Sequence, residues 1–173
     1  CRHLLFRMEP RRIVVASLFR HEAEAACQKL EAEFGDRTAF VPAWGNLFVP
    51  TDLATTDRRA LLADRAQRSR LLGALYDDFD LAYRENHLVK LIRQHRPEVV
   101  VDCVNTATGL SYQDVFDGAA KVRHWIDEEG KMAADGVADV ETFLLSQSVP
   151  QLIRHVRFVH RATTEYQTRV YLK

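Results

Sequence analysis

The chain has 173 residues, enough for one domain with a real hydrophobic core. Lysine plus arginine equals aspartate plus glutamate at 24 each, so no global field draws nucleic acid or an acidic membrane to it. A hydrophobic content of 47% argues against disorder, and no apolar run is long enough to span a bilayer.

Cys1 to Phe6 reads as the tail of an amphipathic helix, and Arg169 to Lys173 as a strand that stops as it starts. Both ends suggest a piece of a longer chain. After Pro10, Arg12 to Leu18 is a buried-type strand, and Ser17 can cap the next helix through its hydroxyl. That helix is expected from His21 to Phe34, with Ala23, Ala26, Cys27, Leu30 and Phe34 on one face. Gly35 is expected to end it in a left-handed turn. Thr38 to Val41 follows as a short strand, with a loop over Pro42 to Asn46.

Asp57 to Asp64 and Leu71 to Tyr76 carry helical spacing. Arg58, Arg59, Arg65, Arg68 and Arg70 fall on the wet side, offset by Asp57, Asp64, Asp77, Asp78 and Asp80, which favours a solvated face over a nucleic-acid site. Asn86 to His95 is a clearer helix with Leu88, Leu91 and Ile92 inward. It must stop before Pro97, because a residue preceding proline is pushed out of the helical region.

Val99 to Val104, four of whose residues are valine, is the most informative run. Bounded by Pro97 and a polar Asn105-Thr106-Ala107-Thr108-Gly109 turn, it predicts a parallel strand covered on both faces. Ligands in such sheets bind where the carboxyl ends of strands open into loops. Ser111 to Gly136 reads as irregular, with a short Val122 to Ile126 segment. Val140 to Leu145 starts another helical region. From Pro150, residues Leu152, Ile153, Val156 and Val159 recur at helical spacing and lead to the final strand. The alternation predicts right-handed crossovers in an α/β fold.

This order of elements resembles the short-chain dehydrogenase/reductase superfamily, particularly its extended, epimerase-like branch. Arg96-Pro97-Glu98-Val99-Val100-Val101-Asp102 is similar to that superfamily's entry into its fourth strand. Asn105 to Gly109 is similar to the Asn-Ala-Gly type turn that lines the nicotinamide side of the cofactor. Ile13 to Leu18 would be the second strand, Thr38 to Asn46 the third and Arg169 to Lys173 the fifth. The first strand, before Cys1, would sit between the Ile13 and Val99 strands. The resemblance implies a three-layer Rossmann-like parallel sheet, incomplete at both ends, with residues 1–173 as a single incomplete NAD(P)-binding domain. It implies an oxidoreductase or epimerase/dehydratase-like parent, cytoplasmic, acting on a small molecule with NADP in preference to NAD.

Two departures bear on activity. No two of the seven glycines are spaced Gly-x-Gly, so the phosphate loop is missing, and none of the five tyrosines has lysine four residues on, so the catalytic Tyr-x-x-x-Lys is missing too. The fragment is therefore expected to be inactive by itself, and a non-catalytic α/β binding or scaffold module is the other reading.

The resemblance assigns cofactor contacts to Ser17, Arg20, Asn46, Asn105, Thr106 and Ala107. A serine and an arginine after the second strand suit the 2′-phosphate of NADP, since guanidinium pairs with phosphate in a fork; a helix cap and a surface arginine are the plain alternative. Gly45-Asn46 stands where the family has Gly-Asp on adenine, or forms a simple turn; Asp52 is a weaker candidate for that contact. Asp102 is read as structural, a carboxylate that must find donors. Trp44 and Trp125 are read as packing. His87, His95, His124, His155 and His160 lack the His-x-x-x-His spacing of a helical zinc pair. The three cysteines, Cys1, Cys27 and Cys103, lack ligand spacing and read as reduced thiols.

Overall fold

The computed structural model describes residues 2–104, 114–127 and 134–173. It shows an α/β chain, mostly helical, with two small two-stranded parallel sheets, divided into compact units Cys1–Leu47 and Phe48–Lys173.

The first unit begins with α1 (Arg2–Met8), then β1 (Arg12–Ser17), α2 (Arg20–Phe34) and β2 (Ala39–Trp44). β1 pairs with β2 in parallel, Arg12 opposite Ala39 through to Ser17 opposite Trp44. Parallel neighbours need a crossover, and α2 supplies it, with Ala23 and Cys27 as its buried residues. β2 runs through Pro42, which had been expected to open a loop. Proline is tolerated because β2 has a ladder partner on one side only among the described residues.

Two local expectations are corrected here. The helix cap is Phe19, which makes no side-chain cap bond; the Ser17 hydroxyl donates instead to Glu22. Gly35 is right-handed, so handedness does not explain it. The reason is space, because a Cβ there would lie 2.6 Å from the Glu31 carbonyl oxygen.

The second unit holds a 3-10 turn at Thr51–Leu53, then α3 (Arg58–Ala63), α4 (Arg65–Tyr76), α5 (Phe79–Glu85) and α6 (His87–His95). Each of these four helices starts on a short polar residue whose side chain accepts backbone N–H bonds: Asp57, Asp64, Asp78 and Asn86. Such caps satisfy donors that a helix start leaves open. Three of the acids expected merely to balance arginines or flank a helix are therefore punctuation. Arg68, expected on the wet face, is buried.

β3 (Val99–Val101) follows, then α7 (Val115–Asp127), α8 (Ala134–Leu145), α9 (Ser148–Glu165) and β4 (Val170–Leu172). β3 pairs with β4 in parallel, Val99 opposite Val170. The strand is shorter than expected and not covered on both faces: Val99 and Val100 are half-buried and Val101 is 45% exposed. The stretch expected to be irregular contains α7 and the first turn of α8. Gly118, a loop signal in the sequence, sits inside α7, where a Cβ would come 3.1 Å from the Phe143 ring on α8.

Two clusters form the core of this unit. Val49, Leu53, Ala54, Leu61, Leu71 and Leu145 make one; Ala82, Tyr83, Val89, Ile92, Phe158 and Ala162 make the other. α9 has the expected period with a rotated phase. It buries Gln151, His155, Phe158, Val159 and Ala162, while Leu152, Ile153 and Val156 are exposed. Among the described residues no helix is long and apolar enough to cross a membrane.

Candidate functional site

In the first unit the two parallel strands end level with each other, Ser17 opposite Trp44. The Gly45 N–H continues the ladder by donating to the Ser17 carbonyl at 3.0 Å. Gly45 has φ of 123°, a backbone conformation that favours glycine, and it turns the chain toward Asn46. Arg20, in the first turn of α2, lays its guanidinium 5.0 Å from the centre of the Trp44 ring. Its Nε donates to Glu24 at 2.7 Å, and the side chain is 67% exposed. Ser17, Arg20 and the Gly45-Asn46 turn thus share one edge of the sheet. Trp44, expected only to pack, is the platform on which Arg20 rests. Trp44 is the last residue of β2 and Arg20 the first of α2, and only the β1–β2 register brings them together.

A solvent-facing guanidinium stacked on an aromatic face is suited to an oxyanion. The Ser17 hydroxyl donates to Glu22 and the Arg20 Nε to Glu24, so an oxyanion would take these donors by displacing two carboxylates. The Glu24 contact is a surface ion pair and costs little to exchange.

In the second unit, Asp102 leaves β3 and gathers donors as expected of a buried carboxylate. Its Oδ1 accepts the Val104 N–H at 2.8 Å, and its Oδ2 accepts Lys173 Nζ at 2.9 Å and the Tyr171 hydroxyl. Burial pushes the carboxyl pKa up, but those bonds outweigh it and hold it below the usual value. Burial, then the Asp102 bond, push the Tyr171 hydroxyl up. His155 on α9 is lowered, chiefly by burial. Asn105, Thr106 and Ala107 lie outside the described residues, so this edge is seen only as far as Val104.

A third polar cluster lies in the cleft between α7 and α8, lined by Asp114, Asp117, Lys121, Asp139, Thr142 and Ser146. Its charges have structural work: Asp114 caps α7, Asp117 pairs with Lys121 and Asp139 accepts from Trp125. Among the described residues no group of three or more His, Cys, Asp or Glu is placed to hold a metal ion. No family model, curated protein or solved structure matches the chain.

Proposed function

We propose that the chain is the dinucleotide-binding part of an NAD(P)-dependent oxidoreductase or epimerase/dehydratase-like protein of the short-chain dehydrogenase/reductase type, with NADP the preferred cofactor. The observation that carries this reading is Arg20 resting on Trp44 beside Ser17 and Asn46, at the carboxyl edge of a parallel β-α-β unit. In open α/β sheets ligands bind at that edge. The pairing also fits the class: β1 with β2 and β3 with β4 are the second-to-third and fourth-to-fifth neighbours of a Rossmann strand order.

On this reading Arg20 and Ser17 take the 2′-phosphate and Asn46 faces adenine, with Asn105, Thr106 and Ala107 assigned to the nicotinamide side. The cofactor, when bound, supplies the hydride chemistry; the chain's own residues bind and orient it. The setting proposed is cytoplasmic.

The test is an amide-detected NMR titration with adenosine 2′-phosphate and with adenosine, which does not require tight binding. The phosphate compound is expected to shift the amides of Ser17, Arg20, Gly45 and Asn46 more than adenosine does, with the difference lost in Arg20→Glu. Equal responses to both compounds, or shifts confined to other residues, would overturn the reading.

A further inference from the structure

The carboxylate of Asp102 is held by Tyr171 of β4, by Lys173 just after it, and by the N–H of Val104 two residues on. Its fourth neighbour is different. His155 Nε2 stands 3.5 Å away and makes no hydrogen bond, although the two side chains are 7% and 9% exposed. That separation is too long for a good N–H···O bond, and a movement of a few tenths of an ångström would close it. A neutral imidazole with its proton on Nδ1 turns a lone pair toward the carboxylate, and two acceptors keep apart.

We propose that this gap is a proton-operated clamp: a proton taken from solvent onto Nε2 makes it a charged donor that closes on Asp102. The carboxylate, already shared by three donors, then loosens its hold on the Val104 N–H. Acidification would thus tighten α9 on the strand pair and release the exit of β3. The charges at the imidazole are opposed. Asp102 favours protonation, Lys173 across the carboxylate disfavours it, and burial disfavours it most, which sets the trigger below the ordinary histidine range. On α9 itself, Arg154 turns to the Leu75 carbonyl and Arg157 to the Phe79 ring. The Phe48 ring covers the imidazole at 4.8 Å. Among the described residues, α4 and α6, which also pack on α9, add no charge to the pair. The clamp stands whether or not the chain binds a dinucleotide.

The experiment is an NMR titration of the whole chain, following the His155 ring carbon and the Val104 amide. Both are expected to move together with one midpoint, below about 6.5. Lys173→Met, at an exposed side chain, should raise that midpoint by roughly half a pH unit. His155→Gln should abolish the Val104 step. A Val104 amide that does not follow His155, a step that survives in His155→Gln, or a midpoint unmoved in Lys173→Met would overturn the clamp.

Discussion

Arg68 on α4 and Glu141 on α8 meet at 2.8 Å with side chains only 6% and 16% exposed. The same guanidinium donates to the carbonyls of Leu62 and Ala63, the end of α3. One cation therefore joins three helices, and it satisfies carbonyls that a helix end leaves open.

Removing either partner strands the other. Arg68→Ala is expected to cost about 3–5 kcal/mol, since an uncompensated buried charge and freed carbonyls remain. Arg68→Met combined with Glu141→Leu should cost clearly less than Arg68→Ala. Urea denaturation followed by circular dichroism measures both, and equal midpoints for the two variants would show that the pair is not stabilising in this way.

Stability should fall as the solution is acidified, in two windows. The folded pKa of His155 lies below its unfolded value, so its contribution is present above about 6.5 and drains away as pH falls from there through the folded value. Asp102 is also depressed, so its contribution is present above about 3.9 and is lost at lower pH still. Melting temperatures across a pH series should show both declines, the first flattened in His155→Gln. An unchanged slope near pH 6 in that variant would assign the first decline to another group.

Asn86 is buried, and its side chain accepts the Val89 N–H at 3.2 Å at the start of α6. Asn86→Ala should cost up to about 2 kcal/mol, the upper end for a lost cap. At the exposed cap of α3, Asp57→Ala should cost about 1 kcal/mol or less. Chemical denaturation of both variants ranks them, and the reverse order would place the weight on cap charge rather than on burial.

Gly118→Ala sets a helix-propensity gain of about 1 kcal/mol against a Phe143 contact that must give by a few tenths of an ångström. A net change within about 1 kcal/mol of zero is expected. Gly118→Val adds methyl groups where the ring already lies and should destabilise by about 1–3 kcal/mol. Thermal melts separate the two; a silent valine would mean that α7 and α8 can part without loss.

Periodicity found α2, α6 and α9 because apolar residues recur on a buried face. It misjudged the phase of α9 because Gln151 and His155 are buried for polar reasons, one donating to the Leu145 carbonyl and the other facing Asp102. Such partners are distant in sequence and leave no local trace. Arg68 looked solvated for the same reason, its carboxylate lying 73 positions on. Gly118 and Gly136 suggested a loop, yet both lie within helices, and at Gly118 what decides is the nearness of Phe143. At the candidate site, Ser17, Arg20 and Asn46 were legible from their places after strands. The Trp44 platform was not, because stacking depends on strand register.

The two strand pairings close loops of unequal length. Thr38 reaches Pro10 across 28 positions, whereas Thr168 reaches Pro97 across 71. Chain entropy alone separates them by less than about 1 kcal/mol, too little to order their formation. The longer loop contains α7, α8 and α9, so the β3–β4 ladder is the more non-local pairing and is expected to form after the β1–β2 ladder, an order that pulse-labelled hydrogen exchange of the Val100 and Val14 amides would show. Until then, among the described residues, the valines of β3 have both edges open rather than one, which is when the chain is most exposed to sticking to its own kind.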